Sequence, residues 1–515
     1  MSHAKSPIKA RLEKWGLKRM PFPTVPFVDP FNVDPIRNGS VFAKELRAEE
    51  LEMIRRDVYQ AGFPDLVTRW SWVWARRHVG TNIGMGKTAF FAYIADQINQ
   101  DYGHTFFKPN QVAQWLAVHV TVSPKTRSVD ELMAIALASI CNDVRGMSVE
   151  RLLLARLRHR VLTLANQTVN LRAPIIRFGQ DRWLSDRGID IPQLTKAIEA
   201  YLLDRGAMSD MGEAIARGSL RSYLQTLNGA TSINPATIRL AKEATRLLME
   251  DFARIAQATG ILQVTFLLDD FYHLIRKTLN KDRPALASEI RTIAIDGSYF
   301  ASQHNLYNWV AVMHTQTAPT FNQAWEQSDL HRIAPLQFHA KTGIALRRLS
   351  PEQHGPALLE TYLNFQRPPH APSGAYPFTY EGLQAISRLA IERRQFPGQA
   401  DGILFEPRSL LELAFTVTRD ALLQKDDPAP IGADYVEHVL LGKPLPEIDD
   451  SDDYVPPSEE ATPLAIVCPC SCHDDEDEVA HDVIVLLAGG KDQDAPPAVI
   501  GHRCGACNML VEIAH

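Results

Sequence analysis

Apolar residues fall on every second position in Arg69-Trp-Ser-Trp-Val-Trp-Ala75, a pattern that predicts a strand. After Thr88 the period changes: Phe90, Phe91, Ile94, Ala95 and Ile98 recur at helical spacing. A further strand is expected at Leu116–Val122. Ile261–Leu268 and Trp309–Met313 are continuous apolar runs, the pattern of strands covered on both faces of a parallel sheet. Between them, Val129 to Ala258 reads as mainly helical, broken by Pro and Gly near 174–190 and 228–235. Its last helix is expected to carry Leu240, Leu247, Leu248, Phe252 and Ile255 on one face and to stop before Gly260. Helical spacing returns at Pro351–Phe365, Thr379–Arg394, Pro407–Gln424 and Gly432–Leu441. The Pro-rich, aromatic first 60 residues read as an extended arm packing on the body, followed by a helix from about Ala43 to Gln60. Strands alternating with helices, with loops at strand ends, predict a doubly wound α/β domain.

Length and charge add a division of labour. At 515 residues the chain has room for two or three domains. Mean hydropathy is −0.16, and no apolar run approaches the roughly 18–20 residues of a membrane span. Met1–Trp15 is basic without an apolar segment, so the expectation is a cytoplasmic protein with no secretory signal and no membrane partner. Internal repeats, collagen-like composition and wholesale disorder are excluded. The net charge of −6 conceals an asymmetry: from Leu445 onward there are 2 basic and 16 acidic residues, leaving a basic body. Arginine is dense across Arg145–Arg187, including Arg151, Arg156, Arg158 and Arg160. Such a surface fits nucleic acid; the plain alternative is a solvated helix face paired with Asp and Glu.

Gly84-Met85-Gly86-Lys87-Thr88-Ala89 carries the most chemistry per residue. Glycines let backbone amides turn inward around phosphate oxygens, where a Cβ would obstruct them. Lys87 would neutralise the β- and γ-phosphates, the Thr88 hydroxyl would sit on Mg²⁺, and the following helix adds its positive end. The first glycine of the usual eight-residue pattern should stand at position 81; this chain has Thr81, with Gly80 one place early. The complementary half is Leu267-Leu268-Asp269-Asp270. Asp269 is the expected magnesium-water ligand and Asp270 the candidate base for an attacking water.

With both halves in place, the chain resembles the AAA+ P-loop ATPases, in the branch near origin-recognition, transposition and signal-transduction (STAND) ATPases. The resemblance covers about residues 15–443 and is tightest at Lys87 and Thr88 (Walker A) and Asp269 and Asp270 (Walker B). Many relatives have Glu at the position of Asp270, whose carboxylate is retracted by about 1.5 Å for the missing methylene. That implies slow turnover, or a switch more than a motor. The resemblance assigns sensor 1 to Thr315, an arginine finger acting on a neighbouring subunit to Arg332, and a nucleotide-sensing lid arginine to Arg408. With it the chain is expected to divide into an arm and helix (1–60), an ATPase core (61–349) interrupted by a helical insertion at about 129–258 and a helical lid (350–443); composition adds an acidic linker (444–462) and a small C-terminal unit (463–515). The 181 positions between Thr88 and Asp269 exceed what a compact core needs, so the insertion is expected to hold the specificity.

Cysteines repeat the division. Cys141 lies in an apolar helical stretch and reads as a core residue. Cys468, Cys470, Cys472, Cys504 and Cys507 cluster at the other end, which favours metal over disulfides in a chain without export signals. Cys504-Gly-Ala-Cys507 is one thiolate pair for tetrahedral Zn²⁺. The other is expected from Cys470 and Cys472, with Cys468 or His473 able to replace one of them. Strands at Val483–Leu487 and Pro497–Ile500 make the unit similar to a zinc ribbon, and Asp474–Glu478 make it acidic, fitting a protein partner better than a DNA backbone.

Three functions are in competition: an oligomeric ATP-hydrolysing machine acting on DNA, in antiviral defence or a mobile element; a STAND-like switch recruiting an effector through the ribbon; and a scaffold that binds nucleotide without hydrolysis. The expected cofactors are ATP, Mg²⁺ and Zn²⁺.

Overall fold

The computed structural model describes residues 7–58, 70–75, 86–107, 114–144, 147–165, 173–229, 238, 240–292, 306–315, 317–336, 343–347, 349–369, 371, 373–392 and 407–444, with the strand backbones 481–486, 498–504 and 510–512. Five strands form one all-parallel sheet: β1 (Trp70–Ala75), β2 (Trp115–Thr121), β3 (Gln263–Asp269), β4 (Tyr307–His314) and β5 (Gly343–Leu346). Their order is β2-β3-β4-β1-β5. Register sets Ala75 opposite His314 and Thr121 opposite Asp269. Because all five run the same way, these four residues lie along one edge of the sheet, where ligands of open α/β sheets bind.

Alternation decides what each face meets. Trp70, Trp72 and Trp74 share one core with Val118, Val120, Phe266, Trp309, Phe271 and Trp325. Val73, Trp115, Ala117, Leu267, Val310 and Val312 turn the other way, onto Phe90, Phe91, Ile94 and Ile98 of the helix Lys87–Asp101. Both faces are dry, so β3 and β4 carry apolar residues almost throughout. The tryptophans still need partners for their polar tips: Trp72 and Trp325 both donate to the Ala334 carbonyl, at 3.3 and 2.7 Å. Asn99 fixes the helix Lys87–Asp101 against the edge strand, donating to the Ala117 carbonyl at 2.8 Å and accepting from its amide at 2.9 Å. That pair satisfies backbone groups an edge strand otherwise leaves open.

The described residues of 129–258 are mainly helical, as expected. Their main helices include Val129–Ser139, Val149–Leu164, Ile191–Asp204, Asp210–Ala216, Leu220–Asn228 and Lys242–Ala258. The side chains of Ser128, Ser148, Asp190 and Ser209 accept the amides that open four of them, each cap worth about 1 kcal/mol. In Lys242–Ala258 the buried stripe is Leu248, Met249, Phe252, Ile255 and Ala256. Leu247 departs from the expectation at 60% exposed, because the neighbour of a stripe residue is rotated by about 100° around the helix. Cys141 is buried, and burial raises its thiol pKa.

The four expected helices of the next unit are found at Pro351–Phe365, Tyr380–Glu392, Pro407–Leu423 and Ala433–Leu441. The arm departs from its extended reading. It opens with the helix Pro7–Lys14, and Leu12, Trp15, Leu17, Phe22, Ile36 and Val41 share one core with Leu359, Leu383, Leu410 and Val417. Arg11 donates to the Ala421 and Gln424 carbonyls at 2.8 and 2.7 Å, closing the C-terminal end of Pro407–Leu423. The indole of Trp15 donates to Asp427 at 3.0 Å. The helix expected from Ala43 is composite: a 3₁₀ turn (Lys44–Arg47), an α-helix (Ala48–Met53) and a π turn (Ile54–Val58).

The tail's strands β6 (His481–Leu486), β7 (Ala498–Cys504) and β8 (Leu510–Glu512) form an antiparallel sheet in that order. The two strands expected there fall on β6 and β7. Among the described residues no helix is long and apolar enough to cross a membrane.

Candidate functional site

Topology brings the two chemical halves together. The next described element after β1 is the helix Lys87–Asp101, entered at Gly86. Gly84 and Met85 lie outside the described residues. Gly86 has φ 80°, the left-handed region that favours glycine, and nothing lies within 4 Å of where its Cβ would be. The N-cap residue, Gly86, has no side chain to cap this helix, and its first turn holds no acidic residue. The first amides of any helix lack an intrahelical acceptor, the arrangement that receives an anion.

Asp269 closes β3 at the same edge, 1% exposed. The Thr88 hydroxyl donates to its Oδ2 at 2.6 Å, across 181 positions of sequence. Its Oδ1 accepts the Asp270 amide at 3.0 Å. A hydroxyl and a carboxylate in contact supply the hard oxygens that Mg²⁺ takes, so the residues fit that ion. Asp270 turns out of the sheet with φ 56°, a left-handed conformation that Asp tolerates at some cost. Its carboxyl pKa rises from 3.8 to about 7: burial disfavours the charge, the Asp269 charge adds to that, and Lys87 opposes both. The opposing pull sets Lys87 within electrostatic reach of Asp270.

β4 lies between β3 and β1, so Thr315, the next residue after that strand, stands half-buried at the same edge. Tyr272 stacks on His314 at 4.0 Å between ring centroids. His273, beside them, has its pKa lowered to about 4 by burial and by Arg276 and Lys277. Arg332 does not join this edge. The helix Ala318–Gln327 carries the chain back toward the side where β5 begins, and Arg332 follows, exposed, in the turn Leu330–Arg332. Arg408 belongs to the first turn of Pro407–Leu423 in the helical unit.

One site residue escaped the sequence reading. His119 lies on β2, with its side chain 0% exposed and its Nε2 3.8 Å from Asp269 Oδ2. Neither ring nitrogen makes a hydrogen bond. Phe31 from the arm and Phe91 from the helix meet the ring edge-on at 6.0 and 6.4 Å. Burial lowers its pKa against the pull of Asp269 and Asp29, which keeps the ring neutral. A histidine inside the otherwise apolar run Trp115–Val120 was the available signal, but its partner depends on strand register. Asp29 and Phe31 are held by the arm's own turns, with the Phe31 amide donating to Asp29 at 3.1 Å. A Cβ on Gly39, which has φ 78°, would stand 3.0 Å from Val28 and 3.7 Å from the Ala89 backbone, so the arm lies close over the start of the helix Lys87–Asp101.

The arginines of the insertion divide. Arg158 is buried, pairs with Asp181 at 2.7 Å and donates to the Phe178 carbonyl. Arg156 lies over the Tyr102 ring at 4.6 Å and donates to the Thr259 carbonyl. These two serve packing. Arg151, Arg177, Arg217 and Arg221 are exposed around a cleft of about 1160 Å³ whose lining also includes Glu150 and Cys141. Arg151 pairs with Asp143 at 3.7 Å, and Arg217 with Glu199 and Glu213.

The zinc reading falls mostly outside the described residues: Cys468, Cys470, Cys472, His473 and Cys507 are not among them. Cys504 closes β7, where its backbone pairs with His481. Among the described residues no group of three or more His, Cys, Asp or Glu is placed to hold a metal. Compared with known proteins, the chain matches no family model, no curated protein and no solved structure.

Proposed function

We propose that this chain binds ATP with Mg²⁺ at the strand edge and hydrolyses it, as an oligomeric AAA+-like ATPase that couples nucleotide state to DNA. The hydrogen bond from Thr88 to Asp269 carries the reading. It unites a glycine-led helix start with a buried acidic strand end, and neither has another evident use in this fold. Lys87 and the first amides of its helix would hold the phosphates. Thr88 and Asp269 would hold the cation, which when bound spreads the charge that builds on the phosphates. Asp270 would take the proton of the attacking water, and a pKa of about 7 suits a base at neutral pH. Thr315, at the end of the intervening strand, would report on the γ-phosphate. The exposed arginines around the insertion's cleft support DNA as the coupled ligand, and the inward turn of Arg156 and Arg158 narrows the surface available to it.

A second reading, a STAND-like switch that recruits an effector through the tail, is favoured by Asp270. A short carboxylate near half-protonation turns over slowly and holds its nucleotide long. Phosphate release by the full chain, with and without duplex and single-stranded DNA, separates the two. DNA stimulation that weakens with salt and is abolished by Lys87→Ala is expected. Turnover indifferent to DNA would favour the switch, and no nucleotide binding at all would remove both.

A further inference from the structure

The cleft in the 129–258 region gathers more guanidinium groups than its own carboxylates answer. Arg151, Arg158, Arg177, Arg217 and Arg221 line its volume of about 1160 Å³. Three carboxylates share the lining, and each already has a partner. Asp143 faces Arg151 at 3.7 Å, and Asp181 faces Arg158 at 2.7 Å. Glu150 is buried, where it accepts the Leu220 amide at 2.8 Å and lies within electrostatic reach of Arg221. Arg217 is engaged by Glu199 and Glu213. Arg177 and Arg221 remain exposed, and among the described residues neither forms an ion pair with a carboxylate. Arg177 reaches Gln180 Oε1 at 3.5 Å, and Arg221 donates to the Cys141 carbonyl. Arg158, 3% exposed, keeps a buried Nε without a hydrogen-bond partner among the described residues, a cost that an incoming acceptor relieves.

We propose that this cleft takes the phosphodiester backbone of a single nucleic-acid strand, with Arg177 and Arg221 making its principal phosphate contacts. The inference deepens the nucleic-acid part of the function proposed above and rests on it. A guanidinium fork matches two phosphate oxygens at once, which a point charge does not. Ser219 and Ser222 add hydroxyls beside Arg221, at the start of the helix Leu220–Asn228, which has no side-chain cap. The positive end of that helix favours an anion in the same place. Shape selects the strand. Proteins that read a duplex insert a projecting helix or ribbon into a groove about 12 Å wide, and a recess has nothing to insert. At about 1160 Å³ the cleft also exceeds the roughly 300–1,000 Å³ of pockets that hold one small ligand. Among the described residues no aromatic side chain lines it. Bases therefore find no stacking platform there, and the contact is with the backbone, with little preference for sequence.

The test uses the full chain, with and without ATP and Mg²⁺, and reads fluorescence anisotropy. The probe is a labelled oligothymidylate of about 20 nucleotides, longer than a typical single-strand site. Wild-type protein is expected to bind it, more weakly as salt rises from about 50 to 200 mM. No binding under any of these conditions removes nucleic acid as a ligand altogether, a wider failure than loss of the cleft assignment. Given wild-type binding, the double variant Arg177→Ala with Arg221→Ala is expected to lose on the order of tenfold in affinity at low salt. Its slope of log affinity against log salt should be shallower by about 1.4, since each phosphate contact on a single strand contributes about 0.7. Arg205→Ala, exposed and outside the cleft, is expected to bind as wild type. A double variant that binds as wild type overturns the proposal, and so does an equal loss in Arg205→Ala. A duplex of the same length carries the denser charge, so tighter binding of duplex than of single strand would mark plain attraction to a basic surface and overturn the fit. An oligouridylate bound equally well, and lost in the same double variant, sustains the proposal with RNA as the strand. If Arg221→Ala, deprived of its bond to the Cys141 carbonyl, does not fold, Arg177→Glu decides. Unchanged affinity in that variant overturns the claim, and a loss at unchanged melting temperature sustains it.

Discussion

At the scale of single residues, Asp269 and Asp270 show how one position separates two roles. Asp269 ends the strand with both oxygens engaged, while Asp270 leaves it in a left-handed turn and loses its charge more easily. The native state holds a proton on Asp270 up to about pH 7, whereas the unfolded chain loses it near 3.8. Between those values the native state binds more protons than the unfolded one, so this group's contribution to stability falls as pH rises and stays lowered above pH 7. Asp270→Asn removes the burden. Its melting temperature without nucleotide is expected to exceed wild type clearly at pH 8 and barely at pH 4, while turnover drops steeply. A variant that is destabilised at pH 8 would show that the Asp270 carboxylate is not held against its charge.

At the scale of elements, legibility followed the reach of the signal. β1 to β4 and the four helices of the 350–443 unit were readable because burial on one or both faces writes a local period. Thr88 and Asp269 could be singled out because phosphate and cation chemistry calls for fixed residue types at short spacing, and the structure brings those two into contact. His119 was not, since its meaning comes from the register of β2 on β3, and the docking of Pro7–Lys14 was not, since its partners lie in the helices near 363 and 417. Leu247 failed because two adjacent leucines compete for one stripe. In the tail the same logic makes a prediction. A unit of about 50 residues is below the size at which a hydrophobic core usually suffices, and the structural zinc expected there would contribute on the order of 10 kcal/mol. One zinc per chain is expected by elemental analysis, and Cys507→Ser should lose it with ATP binding intact. Retention of zinc in that variant would put the ligands elsewhere.

At the scale of the molecule, Arg332 sits apart from its own chain's strand edge, so its proposed role requires a second copy. Arg332→Ala and Lys87→Ala should each be inactive alone and recover part of the turnover when mixed, because a mixed interface joins an intact Lys87 to an intact Arg332. No recovery at any ratio would remove the arginine-finger assignment. The arm works at the same scale through distance along the chain. Trp15 meets Asp427 across 412 positions, and Leu12, Trp15, Leu17 and Phe22 enter a core whose other half is synthesised some four hundred residues later. The entropic cost of closing so long a loop grows only slowly, by about 0.6 kcal/mol per doubling. What the separation governs is timing. Until the helices that follow residue 350 are made, these apolar residues lack most of the core they finally enter. The clasp therefore closes only after the helices between 351 and 441 have been made.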